Sequence, residues 1–155
     1  MPHVQILQQW TEANAFLIWL RESSSIWAYP TVFFLHTAGL VFTAGVSIII
    51  NVRLLGAAEE LPTAAFGRFF RPIWIGIGLT AISGLVMLAS DLQTKLGNRV
   101  FAYKMAFVVI AVVLTVLMRR RVAAPRVTAS TRALAAASLL CWLGAVAAGK
   151  FMAYF

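Results

Sequence analysis

Ionisable residues are scarce in this 155-residue sequence: 12% are Asp, Glu, Lys or Arg, against about 25% in soluble domains. Asp and Glu total 5, and none lies in the middle of an apolar run, which argues against a carboxylate-driven proton pump. The 1 cysteine, Cys141, excludes an internal disulfide and any CxxC metal or redox motif. It reads as a small buried apolar residue. The 2 histidines, His3 and His36, exclude a pair of bis-histidine haems within one chain. Zinc-ligand spacing, a phosphate-binding loop and a Ser-His-Asp set are absent as well. The N-terminus has neither the basic region nor the long apolar core of a cleavable signal peptide, and no lipidation signal ends the sequence.

Apolar residues are abundant instead, at 61% with a mean hydropathy of +0.86. A core built by a chain this short cannot absorb so much apolar surface, whereas a bilayer can. Four long apolar runs cover residues 26–50, 73–90, 100–118 and 134–154. Each approaches the ~20 residues that span ~30 Å of hydrocarbon as a helix. Backbone groups in lipid must pair within their own segment, so helices are expected, and no alternating strand pattern competes. The expected fold class is all-α integral membrane: one domain over 1–155, a four-transmembrane-helix antiparallel bundle with short connections.

Residues 3–21 differ from these runs. Ile6, Leu7, Trp10, Ala13, Leu17 and Leu20 recur at helical spacing, with Gln5, Gln8, Gln9, Glu12 and Asn14 between them. This pattern predicts an N-terminal interfacial amphipathic helix, or one packed on a partner subunit. Pro30 and Pro72 fall in the opening turns of the first and second spans, where a missing N–H costs least. Residues 66–70 suggest an interfacial ramp.

The formal net charge is +8. The basic residues cluster between apolar runs rather than on a polar surface interleaved with aromatics, so no nucleic-acid partner is expected. Arg53, Arg68, Arg71, Arg119, Arg120, Arg121, Arg126 and Arg132 share one side, against Arg21, Lys95, Arg99, Lys104 and Lys150 on the other. Eight against five places the first and third loops in the cytoplasm and both termini outside. Trp27, Tyr29 and Tyr154 then fit an outer aromatic belt, and Trp74 an inner one.

His36 is the residue that most invites chemistry. It lies about ten residues, roughly 15 Å, into the first span. An ionisable residue at that depth is a functional candidate by default. Tyr29 and Gly39 share its helix face. Three readings stay open: a neutral histidine hydrogen-bonded to another helix, an axial ligand of haem b approached over Gly39, or another metal or proton-relay site. Lys104 sits roughly 6 Å into the third span from the same side, with Lys150 and Arg99 nearby in level. These cations either snorkel to the headgroups or hold an anion such as a haem propionate or a substrate carboxylate. A neutral Lys104 is also a possible second axial ligand. Asn51 and Arg53 lie roughly 25 Å from His36 and belong elsewhere, in a possible inner headgroup site.

Several of these residues carry a resemblance. Trp27-Ala28-Tyr29-Pro30, His36-Thr37-Ala38-Gly39, Asn51-Val52-Arg53-Leu54-Leu55-Gly56, Gly84 and Tyr103-Lys104 occur in order. This resembles a family of small bacterial four-span membrane proteins of unknown function, in which an Asp-x-Arg-Leu-Leu-Gly segment ends span one; Asn51 stands here in place of the aspartate. The likeness covers about residues 20–120. A histidine in span one with a lysine in span three is also distantly similar to HemJ-type protoporphyrinogen oxidases, CopD-like domains and other small haem b proteins. That resemblance implies haem service by His36 and Lys104, and the bacterial cytoplasmic (inner) membrane as the location.

The expected function is a membrane haem b protein passing electrons to or from quinone or a redox partner. Membrane lipid and a second copy of the chain are further expected partners. The alternatives are a non-catalytic anchor or assembly subunit of a larger complex, and a porphyrinogen-oxidase-like enzyme. A transporter is disfavoured by the lack of broken helices and repeated halves.

Overall fold

The computed structural model describes residues 2–124 and 126–152, without the side chains of residues 2–5, 7 and 8. Regular structure among the described residues is entirely helical. Among the described residues, four helices are long and apolar enough to cross a membrane: Tyr29–Leu55, Thr63–Ser90, Arg99–Val122 and Ala129–Phe151.

The first long helix begins later and ends later than residues 26–50. Residues 26–28 form a turn, in which the Thr31 hydroxyl donates to the Ile26 carbonyl at 2.9 Å. Helix α3 (Tyr29–Leu40) then opens with Pro30 in its first turn. A π-helical turn, Val41–Gly45, joins it to α4 (Val46–Leu55). Such a turn adds a residue to the helical repeat and re-aims the face that follows. The two halves accordingly pack on different neighbours: α3 on α5 (Phe70–Ser90) and α4 on α8 (Ala129–Phe151). Gly56 ends α4 at φ 118°, and its N–H donates to the Arg53 carbonyl at 3.2 Å. The left-handed backbone suits glycine. Arg53 holds the loop that follows, donating to the carbonyls of Leu61 (2.6 and 2.9 Å) and Glu59 (2.9 Å).

The second long helix starts with a 3₁₀ run, Thr63–Phe69, which occupies the expected ramp and leads into α5. After α5 comes a short helix, α6 (Leu92–Gly97), that periodicity did not indicate. Asn98 caps α7 (Arg99–Val122) by accepting from the Val100 N–H at 2.8 Å. α8 starts at Ala129 rather than 134 because the Thr128 hydroxyl caps it, accepting from the Thr131 N–H at 3.3 Å. It ends at Phe151, and residue 154 of the expected span and belt lies outside the described residues.

The expected single helix over 3–21 is two. α1 (Pro2–Ala13) stops at Asn14, whose side chain accepts from the N–H groups of Phe16 (3.1 Å) and Leu17 (3.3 Å) to start α2 (Ala15–Glu22). An asparagine carbonyl satisfies orphan amides at a helix start better than it fits a helix interior. α2 buries Leu17 and Leu20 and packs against α5 of its own chain, leaving its Phe16 and Trp19 exposed, as is Trp10 on α1.

Two antiparallel pairs organise the long helices. α3 and α5 meet backbone to backbone: a Cβ added at Gly39 would stand 2.9 Å from the Thr80 nitrogen, and one at Gly76 would stand 2.8 Å from the Gly39 carbonyl oxygen. α7 and α8 are joined by the Trp142 Nε1–H donating to Thr115 Oγ1 at 3.3 Å and by Phe107 lying against Gly144. Near the arginine-rich end, Ile50, Leu54, Phe70, Ile73, Met118, Val122 and Ala135 form a buried apolar cluster. Beside it, Asn51 is 1% exposed and donates to Ser138 Oγ at 3.1 Å. Asn51 Oδ1 and Ser47 Oγ are buried with no hydrogen-bond partner among the described residues. Both residues line a cavity of about 10 Å³. Asn51 and Arg53 thus serve different neighbours and do not converge on a common headgroup site.

Candidate functional site

The close crossing at Gly39 and Gly76 brings the backbone of α5 within reach of His36. Its Nδ1 lies 3.1 Å from the Thr80 carbonyl oxygen and 3.2 Å from Ser83 Oγ. The Thr80 carbonyl is already the partner of the Gly84 N–H in the helix ladder. The imidazole approaches its flank only because residue 84 has no side chain: a Cβ there would stand 3.0 Å from His36 Cε1 and 3.3 Å from Nδ1.

This network fixes the tautomer. A carbonyl oxygen can only accept, so Nδ1 carries the proton it shares with Thr80. The Ser83 hydroxyl agrees, because its own proton goes to the Leu79 carbonyl at 2.6 Å. In a neutral imidazole with Nδ1 protonated, Nε2 keeps its lone pair. An imidazole whose other nitrogen donates to a backbone carbonyl is the usual arrangement of a metal-ligating histidine.

Lys104 and Lys95 lie within electrostatic range of the His36 ring. Lys104, on α7, rests its stem on α8, with Cε 3.6 Å from where a Cβ of Gly149 would be. No salt bridge among the described residues involves it. Lys95, on α6, donates from Nζ to the Met87 carbonyl at the end of α5 and lies 5.9 Å from the centre of the Tyr29 ring. Burial holds the Lys95 ammonium below the usual lysine range; the exposed Asp91 carboxylate opposes that shift and Lys104 adds to it. Lys95 therefore belongs to the site, although the sequence placed it only as a loop charge.

The expected site residues divide accordingly. His36 and Lys104 come together, and Tyr29 joins them through Lys95. Gly39 does not offer an approach to a flat ring. It is buried against Thr80 and Gly76, so helix packing fills the space in front of it. Gly84 is the glycine that faces the imidazole. Arg99 and Lys150 are exposed. The His3 side chain lies outside the described residues. Among the described residues, no three of His, Cys, Asp and Glu converge as a metal-ion site. No family model, curated protein or solved structure matches this chain, so its functional reading rests on its own residues.

Proposed function

We propose that the four long helices cross a bacterial cytoplasmic membrane as an antiparallel bundle, with both termini on the outer side, and that His36 holds haem b in the outer half. The membrane reading is supported by the apolar surface the helices turn outward. Only 11% of the most apolar window of α7 is buried, and Val109, Ile110, Val113, Val116 and Leu117 are all exposed. In water that surface would be disfavoured by roughly 25 cal/mol per Å².

The observation that carries the haem reading is the clamp on Nδ1. The Thr80 carbonyl keeps the His36 ring in one orientation and leaves the Nε2 lone pair for a metal. Lys104 and Lys95 supply ammonium groups for carboxylates such as propionates, and Tyr29 contributes an aromatic wall beside Lys95. Bound there, the haem supplies one-electron redox chemistry, suited to exchange with quinone or a redox partner. The chain's own part would be to orient the ligand and balance the propionate charge.

A second reading is an anchor or assembly subunit in which His36 only ties α3 to α5, and the hydrogen bond to Thr80 also fits it. Absorption spectra separate the two. The detergent-purified protein, oxidised and then reduced with dithionite, is expected to show a Soret band and a haem b α-band. Both should be lost in His36→Ala and shifted or weakened in Lys104→Ala. A featureless spectrum from protein grown with ample haem precursor would sink the haem reading and favour the anchor.

A further inference from the structure

The opposite end of the molecule carries a second feature that the haem reading does not use. A groove of about 680 Å³ runs between the start of α5 and the end of α7, and Arg68, Arg71 and Arg119 line it together with Phe70, Trp74 and Ile75. Arg119 is fifteen residues from Lys104 along α7, roughly 22 Å, so this groove is separate from the His36 site. All three arginines are exposed. No salt bridge among the described residues involves any of them; Arg68 instead lies 5.1 Å from the centre of the Phe69 ring.

We propose that this groove binds the headgroup of an anionic phospholipid. Three guanidinium groups gathered on one concave surface repel one another unless an anion lies between them. Guanidinium groups match phosphate oxygens with paired N–H donors. The rest of the groove distinguishes a lipid from free phosphate. Trp74 and Ile75 line it as exposed apolar side chains, Ile75 at 65% exposure. They continue along α5 toward the outward-facing Ile82, a path for an acyl chain that inorganic phosphate would not use. The site also lies where two long apolar helices change to arginine, the level of headgroups in a membrane.

The proposal rests on membrane insertion but not on haem. The test uses the full chain, delipidated in mild detergent and titrated with phosphatidylglycerol, phosphatidylcholine or inorganic phosphate, with bound copies counted by native mass spectrometry. Phosphatidylglycerol should bind at least tenfold more tightly than phosphatidylcholine. Each of R68Q, R71Q and R119Q should weaken it roughly fivefold, and the triple variant by about a hundredfold. Because the arginines are exposed, the variants should keep the helical circular dichroism of the parent, and the R71K variant, which keeps the charge but not the paired N–H donors, should bind between R71Q and the parent. Equal binding of the two lipids, undiminished binding by the triple variant, or displacement of the lipid by equimolar phosphate would each overturn the lipid site. A chain that stays dispersed without detergent overturns the membrane reading itself, which separates that failure from a missing lipid preference in a detergent-requiring protein.

Discussion

Gly84→Ala is the substitution through which the His36 clamp can be examined most sharply. The new methyl carbon would stand 3.0 Å from His36 Cε1, where carbon atoms ordinarily rest at about 3.5–4.0 Å. α5 cannot retreat to make room, because its backbone is already seated on α3 at Gly39 and Gly76. The imidazole must therefore swing, and Nδ1 leaves the Thr80 carbonyl. Overpacking of this kind costs about 1–3 kcal/mol, and the lost hydrogen bond about 1 kcal/mol. A combined loss of roughly 2–4 kcal/mol corresponds to a fall in Tm of about 4–16 °C for a chain of this size. Nitrogen-15 NMR of the imidazole reports the second consequence: the parent should be Nδ1-protonated, and the variant should lose that preference. A variant with unchanged Tm and the parent's tautomer would refute the clamp, since the methyl group could then have been accommodated without moving the ring.

Three further outcomes follow from the same packing. Asn51→Ala leaves the buried Ser138 hydroxyl without its amide donor and should cost about 1–3 kcal/mol; a double-mutant cycle with Ser138→Ala, read by reversible unfolding in detergent, should show coupling near 1 kcal/mol. Gly56→Ala forces a side chain into the left-handed cap at φ 118° and should cost about 1–2 kcal/mol in the same assay, through the strain of that backbone. Lys95 has a lower pKa folded than unfolded, so between those two values the unfolded chain binds the extra proton and stability rises with pH, levelling off near the ordinary lysine value of 10.5. Lys95→Met should flatten that rise in unfolding curves taken across alkaline pH.

The long helices were legible because hydropathy alone decides them: a segment such as 100–118 is apolar apart from Lys104 and Thr115, and only its ends needed structure to place. Those ends follow from local chemistry that the sequence also displays. The Thr128 cap extends the fourth helix toward its start, and Asn14 divides the N-terminal helix by the capping preference of its side chain. The π turn at Val41–Gly45 had no such signal, because it resolves a conflict between two packing faces that exists only once α5 and α8 are in place.

The site was half legible for a related reason. His36 and Lys104 stand out as polar residues in apolar runs, and their depth can be counted along each helix. Which glycine faces the histidine depends on where α3 and α5 cross. Spacing on a single helix pointed to Gly39, whereas the crossing puts Gly39 under Thr80 and brings Gly84 to the ring. Lys95 was missed because its role comes from the Met87 carbonyl and the Tyr29 ring, both brought to it by the short turn into α6.

The central claim is that His36 Nε2 is the protein ligand of a haem iron. Haem content per chain, measured in the detergent-purified parent and in His36→Gly with and without added imidazole, tests it most directly. The expected result is haem b in the parent, loss in His36→Gly, and recovery when free imidazole takes the place of the missing side chain. Equal haem content in parent and variant, or none in a parent produced with ample haem precursor, would contradict it.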